Sequence, residues 1–246
     1  ATEEVPPIPL DNASEKGDVY DEIIAAKRIL SDNARLVTPR YNWNIQTNPK
    51  FDMYRPNYSP TAGGGGSIGT QTALGSNSLS GSKYYVMNSQ YEVFKCLYNG
   101  QDPTNTAGQN ATYEPKSQPS AGQGTFDSAT GVYTEPSGTA GYIWKHVFTL
   151  STGDVLAFLS TDFMPIAAAT DASRTAVEAL AVDGAIHVAV VRDAGTGLPA
   201  SASDLYTPVK GDGTGAIVKF ATNANGEVTS ASMQAVGSGY TYGNIV

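Results

Sequence analysis

The sequence carries one cysteine, two histidines and few charges, only 15% of its 246 residues being Asp, Glu, Lys or Arg. A single cysteine excludes an intrachain disulfide. Cys96, set between apolar neighbours in Val93-Phe94-Lys95-Cys96-Leu97, reads as a small core residue. Two histidines without a cysteine or histidine neighbour leave a metal site short of ligands, so neither a metal nor another cofactor is expected. Both His146 and His187 fall on expected strands, and His146 reads as a strand residue with a satisfied hydrogen bond. Positive charge is scarce as well: 15 Lys and Arg stand against 23 Asp and Glu, for a net charge of −8. Such a surface repels phosphate backbones, which argues against a nucleic-acid partner. No apolar run reaches the roughly 18 residues of a membrane span, and no basic-then-apolar leader opens the chain. Neither membrane insertion nor a signal peptide is therefore expected. The first residue is not Met and the last lies inside a continuing pattern, so the sequence reads as a piece of a longer protein.

What is plentiful is Gly (26), Pro (14) and Tyr (14), a profile of turns and strands. The expected fold is mainly β with a minor helical part (α+β): antiparallel β-sandwich or barrel domains, one packing helix and C-terminal β-hairpin repeats. Residues 1–60 read as a Pro-punctuated arm, a helix and an aromatic segment. In the helix, Asp18 supplies a cap and Val19, Ile23, Ala26 and Leu30 form an apolar stripe. Residues 61–82 read as a Gly-rich surface loop. Residues 83–170 form a β domain, with strands expected at 84–87, 91–98 and 142–150 and a short helical turn at 153–159. A long polar insertion, 99–141, interrupts that domain, with one short strand near Gly131-Val132-Tyr133-Thr134.

Residues 171–246 carry an internal repeat. At a constant offset of 42 (225 − 183), Asp183-Gly184 corresponds to Asn225-Gly226, Ile186 to Val228, Gly195 to Gly237, Gly197 to Gly239 and Leu198 to Tyr240. Each copy is an Asx-Gly turn, a strand and a Gly-x-Gly corner. Asx-Gly predicts type I′ hairpins, because both central residues of that turn need positive φ.

Motifs for chemistry are weak. Gly65-Gly66-Ser67-Ile68-Gly69 has the spelling of a nucleophile elbow but lacks the strand before and the helix after that the elbow requires. Gly211-Asp212-Gly213-Thr214-Gly215 lacks the Lys-Ser/Thr of a phosphate loop and reads as a hairpin corner. The carboxylate pairs Glu3-Glu4 and Asp21-Glu22 suit a solvated arm and a helix first turn. No catalytic residue is expected, and the chain reads as a non-enzyme.

Several segments resemble, in order, the dimeric baseplate wedge subunit of T-even-type contractile-tailed phages, and particularly its cyanophage relatives. They are Asp18-Val19-Tyr20-Asp21-Glu22-Ile23-Ile24-Ala25-Ala26-Lys27-Arg28-Ile29 and Leu36-Val37-Thr38-Pro39-Arg40-Tyr41-Asn42-Trp43. Next come Tyr85-Val86-Met87-Asn88, Tyr91-Glu92-Val93-Phe94-Lys95-Cys96-Leu97 and Gly141-Tyr142-Ile143-Trp144-Lys145-His146-Val147-Phe148, then Asp162-Phe163-Met164-Pro165-Ile166. The resemblance runs from about residue 7 to 166. It implies a structural component of the virion tail baseplate, assembled in the host cytoplasm. It further implies a homodimer in contact with other wedge and peripheral baseplate proteins, without known catalysis. On this expectation Trp43, Tyr54 and Tyr58 are the interface anchors, since aromatic rings give large contact area at low entropic cost. The alternative is a tail receptor-binding or carbohydrate-binding adhesin, for which Tyr- and Asn-rich loops are equally natural.

Overall fold

The computed structural model describes residues 33–44, 49–54, 81–101, 107–191 and 193–245, with Ala25, Arg28 and Leu30, and the backbone alone at 56–57 and 67–68. The chain divides into two compact units, Ala1–Leu36 and Val37–Val246. The expected packing helix over 18–30 falls almost wholly outside the described residues. In the second unit the chain is mainly β, and every strand pair is antiparallel.

The central sheet has five strands in the order β4 (Tyr85–Met87), β5 (Glu92–Tyr98), β8 (Ile143–Thr149), β7 (Val132–Thr134), β6 (Thr125–Asp127). Alternation along these strands builds a core on each face. Val86 faces Phe94 across the β4–β5 ladder; with Cys96, Tyr133, Tyr142 and Trp144 they pack against Phe51 and Met53. One residue on, Met87 faces Val93, and with Phe148, Leu150 and Met164 they form the second core. A register shift between Val93 and Phe94 lets β8 serve both, because Val93 faces Phe148 while Phe94 faces His146. Trp144, Tyr133, Tyr142 and Phe94 are fully buried, each contributing about 1.5–3 kcal/mol from apolar burial.

The stretch 99–141 does not behave as a polar excursion. It supplies β6 and β7 to the sheet and buried Ala111, Pro115, Tyr133 and Ala140 to the core. Two carboxylates fasten it. Buried Glu135 accepts the amides of Thr112 (2.8 Å), Tyr113 (2.9 Å) and Tyr142 (3.3 Å) and the Thr139 hydroxyl (3.1 Å). Buried Glu92 accepts the Ser117 amide (3.2 Å), the Ser117 hydroxyl and the Asn88 side-chain amide (2.6 Å). Composition reads such a segment as solvated, yet a carboxylate is buried at low cost when several donors converge on its oxygens.

Beside this sheet, β1 (Val37–Pro39) pairs with β9 (Phe163–Pro165), and β2 (Pro56–Asn57) pairs with β3 (Ser67–Ile68). The 61–82 stretch, expected as a loop, thus supplies one short strand, paired with residues that precede it. Two helices occur among the described residues. Helix α1 (Thr152–Phe158) occupies the expected helical turn and is capped by Ser151, whose hydroxyl accepts the Asp154 amide at 3.1 Å. Helix α2 (Ala172–Ala179) is capped by Asp171, which accepts the amides of Ser173 and Arg174. It docks on β8 through Ser173, whose hydroxyl bonds both backbone groups of Thr149.

The second large sheet runs β12 (Val228–Ser238), β11 (Thr214–Thr222), β10 (Leu205–Gly211), β13 (Gly243–Ile245). Asp212-Gly213 is the hairpin corner expected there. The Asx-Gly turns need a correction. Asn225 and Asp183 do not have positive φ; only Gly226 (φ 73) and Gly184 (φ 65) do. Gly226 donates to the Asn223 carbonyl at 3.1 Å and Asn223 to the Glu227 carbonyl at 3.0 Å, which is a three-residue loop closed by a left-handed glycine instead of a type I′ turn. The Asn223 side chain decides the matter, its Oδ1 accepting the amides of Asn225 and Glu227. The same loop recurs at Asn88, with Tyr91 (φ 60) in the glycine position.

The two repeat copies also differ: β11 precedes the second Asx-Gly turn, whereas α2 precedes the first. What the copies share is a reciprocal exchange. Ile186 donates to Val236 and Val228 to Ala194, each at 2.8 Å, while Tyr240 donates to Gly184 and Leu198 to Gly226, each at 3.3 Å. Each bond maps onto its mate when both residues shift by 42, so each copy's turn receives the other copy's corner. Gly184 and Gly226 are forced by this contact: a Cβ would lie 2.1 Å from the Tyr240 nitrogen or 2.3 Å from the Leu198 oxygen.

Candidate functional site

Of the three aromatic residues expected as anchors, Trp43 and Tyr54 are described and Tyr58 lies outside the described residues. Trp43 is half-buried. Its ring stacks on Phe51 at 5.9 Å and 12°, against the first core, and its amide bonds the Met87 carbonyl at 2.9 Å. Its position follows from Asn42, which makes a parallel bridge to Met87 and so lays 41–43 along β4.

Tyr54 belongs to a half-buried row of four tyrosines. Its ring lies 5.0 Å from Tyr84, Tyr84 lies 5.2 Å from Tyr85, and Tyr85 lies 5.1 Å from Tyr41. A lysine sits over each end, Lys95 Nζ 4.1 Å from the Tyr54 ring centroid and Lys83 Nζ 5.5 Å from that of Tyr41. Backbone bonds fix the frame: Tyr54 donates to Cys96, Cys96 to Tyr84, and Met87 to Tyr41. The Tyr85 hydroxyl donates to the Pro39 carbonyl at 2.8 Å and lies 2.9 Å from the Thr38 hydroxyl, tying the row to β1. Burial raises the Tyr85 phenol above its ordinary value despite the Thr38 bond. It lowers the Lys95 ammonium, with Lys145 adding like-charge repulsion. A partly desolvated Lys95 at one end and an exposed Lys83 at the other thus bracket a half-buried aromatic surface. Sequence reading singled out Tyr54 and missed Tyr84, Tyr85 and the two lysines, whose proximity depends on strand register.

Several groups with chemical potential elsewhere are occupied, although Oδ1 of fully buried Asp52 has no hydrogen-bond partner among the described residues. His146 Nε2 lies 3.1 Å from the Thr149 hydroxyl beside the Phe94 ring, as expected of a satisfied strand histidine, and burial lowers its pKa. Cys96 is fully buried in the first core, as expected, and desolvation pushes its thiol well above the ordinary value. Glu92 and Glu135 are saturated by loop donors. Among the described residues no group of three or more His, Cys, Asp or Glu could hold a metal ion. Nor is any described helix long and apolar enough to cross a membrane. Ser67 of the elbow-like motif lies in the two-residue strand β3. Compared with models of known protein families, with curated proteins and with solved structures, the chain matches none.

Proposed function

We propose that this chain is a non-catalytic structural subunit of a contractile phage tail, placed in the baseplate wedge and working through protein–protein interfaces. The observation that carries the reading is the lysine-capped tyrosine row Tyr41–Tyr85–Tyr84–Tyr54, a preorganised aromatic surface on a rigid sheet. Two further points support it. Among the segments that resemble the wedge subunit family, 36–43, 85–88 and 91–97 supply Tyr41, Tyr85 and Lys95 to the row, and 85–88, 91–97 and 141–148 supply Val86, Phe94, Cys96, Tyr142 and Trp144 to the first core. The buried carboxylates Glu92 and Glu135 spend their oxygens on the amides and hydroxyls of neighbouring loops, which they hold in place.

The test is reconstitution of the baseplate wedge with Tyr54→Ala and Tyr41→Ala chains, their folding checked by near-ultraviolet dichroism. Each folded variant is expected to lose about 2 kcal/mol of association energy, roughly 30-fold in Kd, as buried aromatic anchors do. Wild-type assembly by both variants would overturn the interface assignment. Labelled subunit at a fibre tip, away from the baseplate body, would point to the adhesin alternative. Turnover of cell-wall glycan by the isolated chain would sink the non-enzymatic reading.

A further inference from the structure

Two loops of the chain share one frame and differ at its left-handed residue. In 88–92 and in 223–227 the Asn Oδ1 accepts the amides two and four residues on, from Gln90 and Glu92 at 2.9 Å each and from Asn225 and Glu227 at 2.9 and 3.0 Å. In both, the Asn side-chain amide donates to the Glu carboxylate at 2.6 Å. The Asn carbonyl accepts the amide of Tyr91 at 3.2 Å in one and of Gly226 at 3.1 Å in the other. Those two residues hold the left-handed position, with φ 60 at Tyr91 and 73 at Gly226. Glycine adopts it without steric cost, whereas a bulky side chain forfeits roughly 5- to 30-fold in the folding equilibrium. No hydrogen bond of the Tyr91 hydroxyl and no contact of its ring with another ring offsets that among the described residues, and Tyr91 is 42% exposed. Ser89 and Gln90 beside it are exposed too, and Glu114 holds the Ser89 amide at 2.6 Å and its hydroxyl at 3.1 Å. The loop is a fixed tip with a polar rim and one aromatic ring.

We propose that Tyr91 is a docking anchor, separate from the tyrosine row, whose ring and hydroxyl enter a pocket supplied by a neighbouring wedge protein. Strain at an exposed residue that serves no contact within the fold is the mark of a side chain used in binding. A hairpin tip with Ser89, Gln90 and Tyr91 all exposed encloses no small molecule, because ligand sites are concave and bury most of their ligand. The net charge of −8, with Glu114 beside the tip, disfavours nucleic acid. Protein surface remains, where tyrosine is enriched as an anchor. The pocket that fits is apolar and ends in a carbonyl or carboxylate, which accepts the phenol hydrogen bond. The β4–β5 ladder separates the two contacts: Met87 pairs with Val93 next to the tip, and Tyr85 with Lys95 at the row. The inference rests on the baseplate reading for the neighbour and on the paired loops for the residue.

The test compares the full chain with Tyr91→Asn, which removes the ring and leaves a residue that accepts the left-handed conformation. In urea this variant is expected to unfold at or above the wild-type midpoint, since relief of the backbone offsets the loss of a half-exposed ring. In reconstitution of the baseplate wedge it is expected to associate at least about fivefold more weakly, as the loss of an interface anchor does. Tyr91→Phe, which keeps the ring, is expected to recover most of that difference. A lower urea midpoint for Tyr91→Asn would overturn the proposal, because the ring would then be serving the fold. Association of Tyr91→Asn equal to wild type would overturn it as well, and would leave the baseplate reading, which Tyr41 and Tyr54 test, untouched. A wild-type chain that joins no wedge would remove that reading and this proposal together.

Discussion

Replacing Glu135 tests whether the polar stretch 99–141 is part of the folded core. In the native chain its carboxylate receives three backbone amides and one hydroxyl while only 4% exposed. Glu135→Gln keeps the shape but offers one oxygen in place of two. If that oxygen stays on Thr112 and Tyr113, the new NH2 group meets the Tyr142 amide donor to donor. Charge-assisted bonds contribute about 1.5–3 kcal/mol against about 0.5–1.5 for neutral ones, and an orphaned buried amide costs about 1–3. The loss of charge on the two retained bonds, with one orphaned amide, gives a destabilisation of about 3–6 kcal/mol. That is a large part of the 5–15 kcal/mol a domain commonly has. For a chain of this size the melting temperature is expected to fall by roughly 6–24 °C. Urea unfolding followed by tryptophan fluorescence reads the change, because Trp144 and Trp43 both pack on Phe51 in the adjoining core. Amide exchange at Thr112 and Tyr113 reads the local release. An unchanged urea midpoint together with unchanged exchange at those two amides would refute the claim that Glu135 fastens the insertion.

The reciprocal repeat predicts a contrast between glycines that share positive φ. Gly184→Ala, whose Cβ would meet the Tyr240 nitrogen, is expected to cost about 2–4 kcal/mol, whereas Gly195→Ala, with open space around it, is expected to cost only the left-handed penalty of about 1 kcal/mol. Equal midpoints for the two variants in denaturant would contradict the exchange. Asp212 accepts the amides of Thr241 (2.9 Å) and Tyr242 (3.2 Å) and the Thr241 hydroxyl, which hold its carboxyl down at about 2. A depressed carboxylate stabilises the fold above its unfolded pKa, near 4, and that contribution disappears as pH falls through about 2. The Thr241 and Tyr242 amide resonances are therefore expected to titrate with a midpoint near pH 2 in the native chain. In Asp212→Asn they should not move around that pH, and persistence of the titration would remove Asp212 as its source.

What was legible in the sequence is what rests on alternation. The β5 and β8 strands carry apolar residues that must reach two opposite cores, and β-branched and aromatic residues mark them plainly. The capped turn at Ser151 was legible for a similar local reason. Helix α2 was not, since Ala-Ser-Arg-Thr-Ala-Val-Glu-Ala has little apolar contrast. Its signals were Asp171 as a cap and the Arg174–Glu178 pair at 2.8 Å, both compatible with a loop before the structure is seen. Strand β10 was hidden by Pro208. That residue sits at the end of the β11 ladder, opposite Ile217, and β13 pairs only from Val209 onward, so the missing N–H breaks no bond. The repeat itself was visible as a spacing of 42, but spacing cannot say whether a turn meets its own corner or its copy's. The tyrosine row was half visible. Tyr54 stood out in an aromatic segment, while the ring contacts of Tyr84 and the stacking of Lys95 follow from the β4–β5 register, which short sequence patterns leave open.

The distribution of polar chemistry bears on function more than any single residue does. In a chain with few charges, Glu92 and Glu135 are buried and Asp212 is bonded at the surface, and all three receive loop or turn amides. An acid–base group must keep a lone pair or proton facing a cleft; these carboxylates direct theirs at the chain's own backbone. Their effect is to make irregular segments as rigid as the strands they adjoin. Rigidity matters for association because ordering a loop or side chain at an interface costs about 0.5–1.5 kcal/mol per group. The tyrosine row, held by backbone bonds at Met87 and Cys96 and by the Tyr85 hydroxyl on the Pro39 carbonyl, has much of that cost already met within the fold. A surface prepared in this way can associate through modest area. That requirement is the one a subunit faces when it must hold several neighbours at once.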